Sequence, residues 1–594
     1  MMIDAKNLTE MSNAVRATAL RALRRAKSGH IGIALGAADI ITMIYAVFLN
    51  PARDRFVLSA GHGSALLYSV LKLAGYRVGD LDSLRRLYGL PGHPEFGIDG
   101  VAATTGPLGQ GVANAVGMAI AEKHFDSNGR IYCLASDGDL MEGVANEAIA
   151  FAGRYKLSNL VLLWDNNGVS IDGAAQTDVN MAARMRAAGW NVRVANGHDF
   201  DEIYDAIDSP ADGPLFIQCN TVIGIGSTAA GMARAHGFDL TDAEIANLIE
   251  SLDSARGREL WGMIARAHSG QKPRKYTAAP NPLLPDVPHF ASTREMSGAY
   301  LSRIIAHAQN IMCGSADLGH STNVLVDGMV PITRDDFSGN YINYGVREHA
   351  MAAIMNGMAY SGLRAVGSTF LVFSDYMRGA MRLSALAGLP VVYVLTHDSI
   401  AVGPDGPTHQ PVEQLAGLRL IPNMNVFRPA NMLEVAWAWR TALAETSRPS
   451  CIVLSRQKIM RTGAPVWGYV DAGGYVIYKS KSSRIRLTII ATGAEVPLAI
   501  AVAHRLGPGI QVASIPSVAH FRAMDDEYKK NVLRGRVIAI EAGATAPWFE
   551  FADDVIGIDD FGLSGPGDMV YRECGFDADE IAAAIRTKMK NGRI

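Results

Sequence analysis

Leu134-Ala-Ser-Asp-Gly-Asp-Leu-Met-Glu-Gly143 stands between an apolar run and an alanine-rich stretch, and its reading decides the fold. The run 131–135 predicts a strand and 142–155 a helix, so Ser136, Asp137 and Gly138 fall at the carboxyl end of a strand. A second predicted strand, 160–164, leads into Asp165-Asn-Asn-Gly-Val-Ser-Ile171. In an open parallel sheet that edge is where ligands bind, and a helix N-terminus there presents free amides to an anion. Asp137 and Asn167 then offer a carboxylate and an amide oxygen, and the backbone carbonyl of Val169 a third, to a hard cation such as Mg²⁺ bridging a diphosphate. Taken alone, the same residues equally suit an SDG turn that caps a helix and an NNG turn that ends a strand.

Outward from this pair, predicted strands at 190–194 and 215–219 and a helix at 111–124 complete one doubly wound domain. Between residues 271 and 290 lie Pro273, Pro280, Pro282, Pro285 and Pro288, and no helix or central strand persists through such a run. We read 271–290 as a linker. Alternation resumes with strands at 311–313, 365–368, 391–396, 424–428 and 451–455, a second α/β domain. Glycine and polar residues at 472–486 separate it from a third set of strands at 487–491, 511–515, 537–541 and 555–558. The expected class is α/β, with three domains and mainly parallel sheets.

Composition narrows the function. Among 594 residues, 49% are hydrophobic and 19% charged, as in a folded chain and unlike a disordered one. The formal net charge of −3 leaves no basic excess for a nucleic-acid backbone or an anionic membrane, which favours small-molecule partners. Cys133, Cys219, Cys313, Cys451 and Cys574 are scattered, with no CxxC pair, so neither a disulfide framework nor a zinc ribbon is expected. The first residues carry no signal-peptide pattern, and no apolar run approaches the roughly 18 residues of a membrane span, so the expected location is the cytoplasm.

The SDG…NN spacing resembles the thiamine-diphosphate signature, with Ser136 where the first glycine usually stands. Further stretches make the resemblance specific to transketolases and extend it over nearly the whole chain: Gly29-His-Ile-Gly-Ile-Ala-Leu-Gly36, Ser59-Ala-Gly-His-Gly-Ser64, Pro91-Gly-His-Pro94, Thr104-Thr-Gly-Pro-Leu-Gly-Gln-Gly111, Tyr344-Gly-Val-Arg-Glu348, Thr396-His-Asp-Ser399 and Asp405-Gly-Pro-Thr-His-Gln410. A lone histidine beside a glycine is usually a turn or core residue; here His30, His62, His93, His397 and His409 all fall in matching segments, and the resemblance adds His236.

The resemblance implies two thiamine-diphosphate-binding-fold domains, 1–270 for the diphosphate and metal and 291–470 for the pyrimidine, followed by a transketolase-like C-terminal domain at 471–594. It implies transfer of a two-carbon ketol unit from a ketose, phosphorylated by expectation, to an aldose. The implied cofactors are thiamine diphosphate and Mg²⁺, with Ca²⁺ or Mn²⁺ as substitutes, and the implied assembly is a homodimer with active sites at its interface. Cofactor contacts fall to His62, Gly106, Leu108, Asp137, Gly138, Asn167, Phe373 and Glu142, and metal contacts to Asp137, Asn167 and Val169. Glu348 is the implied activator, hydrogen-bonding the aminopyrimidine ring nitrogen. Phe370, Phe373 and Tyr376 resemble the aromatics packed around the pyrimidine, with Phe373 its stacking partner, while their spacing of three also suits a plain core stripe on one helical face. Glu142 matches a carboxylate that links the two active sites of a dimer.

By the same resemblance, His30 and His236 move the proton of the donor hydroxyl beside the bond that breaks, while His93 and His409 hold the two-carbon fragment. Asp405 sets stereochemistry, and Arg294, Ser321, His397 and Arg456 meet the phosphate end. Pro404 and His320 depart from the family pattern, and the stretch from His236 to Arg294 is short, so the sugar identity stays open. Two alternatives remain beside the main reading: a relative with a special acceptor, as in dihydroxyacetone synthase, and a silent cofactor-binding regulatory subunit.

Overall fold

The computed structural model describes residues 4–178, 180–265, 276, 281–308, 310–462, 467–482 and 484–590. They fall into two compact units. One comprises residues up to 275 with 333–338 and 353–362; the other comprises 276–332, 339–352 and the chain from 363 onward.

The first unit is built on a five-stranded parallel sheet of β1 (Arg55–Leu58), β2 (Ile131–Ser136), β3 (Leu160–Asn166), β4 (Asn191–Asn196) and β5 (Leu215–Asn220), in the order β1-β2-β3-β5-β4. Every residue of β2 is buried, as is all of β3 but its last, which is why both read as unbroken apolar runs: each face lies under helices. The register pairs Ser136 with Asp165, so the two chemical motifs leave the sheet side by side. Helix Ala5–Ala26 begins where Asp4 accepts from the Asn7 amide and ends at Lys27 in the left-handed region. It buries Leu8, Met11, Val15 and Leu23 along one stripe.

The second unit holds two sheets. Strands β6 (Ile311–Ser315), β7 (Tyr341–Asn343), β8 (Arg364–Phe370), β9 (Val392–Thr396), β10 (Asn425–Phe427) and β11 (Ser450–Leu454) form a parallel sheet in the order β7-β6-β8-β9-β11-β10. Strands β12 (Tyr475–Lys479), β13 (Leu487–Ala491), β14 (Ile510–Ser514), β15 (Arg536–Ile540) and β16 (Asp554–Ile556) form the C-terminal sheet, in the order β12-β14-β13-β15-β16.

The structure corrects one expectation and removes one alternative. The stretch 472–486 is not only glycine and polar residues, because it contains β12, an antiparallel edge strand whose register breaks between Val476 and Tyr478. Its mostly half-buried side chains show no clean alternation. Phe370, Phe373 and Tyr376 do not share a helical face: Phe370 ends β8, Phe373 closes the 3₁₀ turn Leu371–Phe373, and Tyr376 lies exposed in helix Ser374–Leu386. Of the proline-rich linker, residues 271–275 and 277–280 lie outside the described residues; 281–289 have no regular structure. All five cysteines are free. Among the described residues no helix is long and apolar enough to cross a membrane.

Candidate active site

In the first unit, β2 runs straight into the short helix Asp137–Met141, with Ser136 as its N-cap. Ser136 has φ −101° and ψ 174°, ordinary extended backbone, so a side chain costs nothing at this position. Its hydroxyl is used: Ser136 N and Oγ donate to Asp139 Oδ2 at 2.9 and 2.8 Å. The other oxygen of Asp139 accepts from Ser59 Oγ at 2.5 Å and Gly109 N at 2.8 Å. Fully buried Asp139 therefore ties together the three loops that carry His62, Gly106 with Leu108, and Asp137. Asp139 is a residue that motif matching alone misses, although a serine followed three residues later by an acid is the signal of the capping box seen here.

A cavity of about 370 Å³ opens at this edge, lined by His30, His62, His93, His236, Gly106, Leu108, Asp137, Gly138, Asn167 and Val169 among others. His30 sits at the centre of the imidazoles, with ring centroids 5.2 Å from His62, 6.2 Å from His93 and 5.4 Å from His236. Burial, then the charges of His236, Arg85 and His93, bring the His30 pKa down to about 4. Burial also lowers His62, His93 and His236. The cluster is therefore uncharged near neutrality, with each ring able to give and take a proton. Arg85, which no motif singles out, brings Nη2 to 3.4 Å from His30 Nδ1 and donates from Nη1 to Ser28 Oγ at 3.0 Å. Gly106, at φ +141°, keeps the two loops in contact, since a Cβ on neighbouring Gly61 would lie 2.6 Å from its amide nitrogen.

Asp137 is 2% exposed, and neither of its carboxylate oxygens makes a well-aligned hydrogen bond among the described residues, although the Trp164 indole and the Gly168 amide lie near enough to act against the effect of burial. Burial, then the neighbouring Asp165 carboxylate, push its carboxyl up to about 7. Beside it, Asn167 accepts from Val169 N at 3.1 Å and donates to Asp165 at 3.1 Å. A buried carboxylate without a well-aligned donor demands a cation, and one carboxylate, one amide and one backbone carbonyl form the oxygen set of a hard divalent ion. Among the described residues no group of three His, Cys, Asp or Glu could hold a metal, so this oxygen set is the candidate. Glu142 is exposed and does not line the cavity.

In the second unit, Glu348 opens helix Glu348–Tyr360, 8% exposed, and accepts from Thr369 Oγ1 at 3.3 Å. Its neighbour Arg347 donates to the Tyr344 carbonyl at 3.0 Å. Phe373 lies 5.9 Å from Phe370 and 5.4 Å from the His409 ring, and His397 stacks on Phe370 with centroids 3.6 Å apart. Burial, then the charges of Arg294, Arg456 and His409, pull the His397 pKa down to about 3. Arg294 is itself lowered, by burial and then by Arg456; it donates to the Ser321 carbonyl at 2.5 Å, and Arg456 to the Val402 carbonyl at 3.4 Å. Neither guanidinium has an ion-pair partner among the described residues, so two converging cations beside a neutral imidazole form an anion site. Asp405 is exposed on the same loop.

Comparison with known proteins places this architecture. Residues 8–256 match the model of the transketolase thiamine diphosphate binding domain, 290–461 that of the transketolase pyrimidine binding domain, and 473–577 that of the transketolase-like C-terminal domain. The chain is 40% identical to a transketolase of Sinorhizobium medicae, over 96% of this chain and 92% of that one. This chain belongs to the transketolase family.

The solved transketolase from Leishmania mexicana superposes with a TM-score of 0.94 at 33% identity, covering 100% of this chain and 98% of that one. A transketolase of Pichia stipitis, solved in complex with sedoheptulose-7-phosphate, matches at a TM-score of 0.87 and 34% identity over 98% of this chain and 97% of that one. The three α/β domains expected from the sequence are those of the transketolase family.

Proposed function

We propose that this transketolase-family protein moves a two-carbon ketol unit from a phosphorylated ketose to an aldose in the cytoplasm, as a homodimer using thiamine diphosphate and Mg²⁺. The observation that carries the reading is the cavity at the carboxyl edge of the first sheet, where an unpartnered buried carboxylate faces four uncharged imidazoles. Thiamine diphosphate, when bound, supplies the nucleophilic carbon and the electron sink that ketol transfer requires.

Asp137, Asn167 and the Val169 carbonyl hold the cation, and Gly138, Gly106, Leu108 and His62 shape the diphosphate end. Phe373 packs against the pyrimidine, and Glu348 holds a proton at its ring nitrogen. Each unit alone lacks what the other carries: the first has the metal set and histidines, the second Glu348 and the aromatics. This division supports catalysis across a subunit interface, with Glu142 linking the two sites. His30 and His236, kept neutral by burial, take the proton from the donor hydroxyl beside the breaking bond and return it in the second half-reaction. His93 and His409 hold the two-carbon fragment and Asp405 its hydroxyl, while Arg294, Arg456, Ser321 and His397 receive the phosphate far from the reacting carbons.

The comparisons do not favour a silent cofactor-binding subunit. The test is a panel of phosphorylated donors against hydroxypyruvate, assayed with wild type and Arg456→Ala. A phosphate that loses one charge-assisted partner forfeits roughly 2–5 kcal/mol, a contact a short unphosphorylated donor never makes. KM for the phosphorylated donors should rise steeply while hydroxypyruvate turnover holds; equal losses on both would withdraw the phosphate assignment.

A further inference from the structure

Open parallel sheets receive ligands in the crevice outside their carboxyl ends, and the C-terminal sheet presents that edge where β13, β14 and β15 finish. Here the crevice is filled by the protein itself. Arg428, one residue past β10 and fully buried, donates from Nη1 to Thr492 Oγ1 at 2.9 Å and to Glu495, and from Nε to Asp398 Oδ2 at 2.9 Å. Its backbone is joined to the same edge: Arg428 N donates to the Pro516 carbonyl at 2.8 Å, and Gly493 N donates to the Arg428 carbonyl at 3.0 Å. Glu541, just past β15, accepts from Arg419 at 2.7 and 2.9 Å and from the Trp548 indole at 2.8 Å.

The far side of this cluster is the loop 397–410. Asp398 is the partner of Arg428. The Tyr571 hydroxyl donates to Glu495 Oε1 at 2.6 Å and lies 3.0 Å from the Ser399 hydroxyl. Gln410 Nε2 donates to the Leu563 carbonyl at 2.9 Å and the Gly403 carbonyl at 3.0 Å. Backbones touch as well: a Cβ on Gly403 would lie 2.9 Å from Gly567 N, and one on Gly567 would lie 2.6 Å from the Ala401 carbonyl. This loop carries His397, Asp405 and His409, and its Val402 carbonyl accepts from Arg456.

We infer that the C-terminal domain is the positioning element of segment 397–403, the part of that loop with His397 and the Val402 carbonyl, with Arg428 and Tyr571 as positioning residues. The inference rests on the proposed assignment of that segment to the phosphate end. Buried ion clusters add little net stability over apolar packing of the same volume, but a desolvated arginine shared among Asp398, Thr492 and Glu495 has one arrangement that satisfies them, and that arrangement fixes the loop. The crevice of this domain is then a clamp and not an effector site.

Arg428→Met would break the clamp but endangers folding, so the test uses Tyr571→Phe, which keeps the ring and removes only the hydroxyl tie, and Gly567→Ala, which pushes a methyl at the Ala401 carbonyl. Steady-state kinetics are measured with sedoheptulose-7-phosphate and with hydroxypyruvate, beside a thermal melt. For both variants KM for the phosphorylated donor should rise about three- to tenfold with kcat nearly unchanged, while both constants for hydroxypyruvate stay within about twofold; the Tyr571→Phe melt stays close to wild type, and Gly567→Ala, which must displace backbone, melts lower. Equal changes on both donors, or no change on either, overturn the inference. Arg456→Ala separates the failures: if it discriminates the donors and Tyr571→Phe and Gly567→Ala do not, the inference falls and the phosphate assignment stands. If Arg456→Ala does not discriminate, the assignment falls and the inference falls with it.

Discussion

The carboxyl edges of the first and the C-terminal sheets carry the same kinds of residue, buried carboxylates beside glycine turns, and use them in opposite ways. At the first edge both oxygens of Asp137 lack a well-aligned donor among the described residues, and the surrounding histidines are uncharged. At the C-terminal edge Glu541 and Glu495 accept from Arg419, Arg428, Trp548 and Tyr571; Asp398 Oδ1 is the carboxylate oxygen there without a hydrogen bond among the described residues. Sheet topology alone nominates both edges as ligand sites. What separates them is whether the chain supplies the counter-charge. An edge with an orphaned carboxylate is open to a ligand; an edge whose acids are already paired holds the fold.

The largest expected effect falls on a sparsely partnered carboxylate. Glu348→Gln should cut kcat roughly 100- to 10,000-fold with cofactor binding kept, since the amide hydrogen-bonds but cannot pass the proton. Hydrogen–deuterium exchange at the thiazolium carbon checks this; wild-type exchange in the variant would remove Glu348 from that role.

On the paired side the loss is of stability. Arg428→Met strands the Asp398 carboxylate in the interior, and urea unfolding should register a loss of about 3–5 kcal/mol. A loss below about 1 kcal/mol would mean that the cluster is not a clamp.

The cofactor-free protein should show the cost of the unpaired acid directly. The Asp137 carboxyl titrates at about 7 in the folded chain against an ordinary 3.8, so its ionisation destabilises the fold. The Asp137 contribution to stability should fall as pH rises from about 4 to about 7, by up to about 4 kcal/mol, and stay level above, opposite in sign to the contribution of His30 and His397, which burial keeps neutral. Asp137→Asn should remove that slope in thermal melts; an unchanged slope would place the titration elsewhere. The smallest effect belongs to Glu495→Gln. Burial, outweighing the charge of Arg428, already pushes the Glu495 carboxyl up toward its neutral form. The isosteric amide should therefore cost under about 1 kcal/mol in the same urea unfolding, and a loss as large as that of Arg428→Met would mean that Glu495 is held charged.

Much of this was legible in the sequence, and for identifiable reasons. Buried parallel strands such as β2 and β3 announce themselves as apolar runs, and the SDG and NN turns mark their ends. The edge strand β12 did not, because an edge exposed on one side and broken in register loses its period. The spacing of three at 370, 373 and 376 left a helical core stripe open, because sequence alone does not show that it crosses a strand end, a 3₁₀ turn and a helix. The histidines could be named only through family likeness, since no local period places Gly29–Leu35 against Pro91–Pro94. The Arg428 cluster was invisible: Thr492 and Glu495 lie 64 and 67 residues away, and a lone arginine in a sequence reads as a surface charge.

The central claim is that the unpartnered carboxylate of Asp137 marks the cofactor edge. Isothermal titration of thiamine diphosphate in the presence and absence of Mg²⁺, on wild type and Asp137→Ala, tests it most directly. The account predicts Mg²⁺-dependent binding to the wild type that weakens at least about tenfold in the variant, with an unchanged fold by circular dichroism. Equal Mg²⁺-dependent affinity in the two proteins would contradict it.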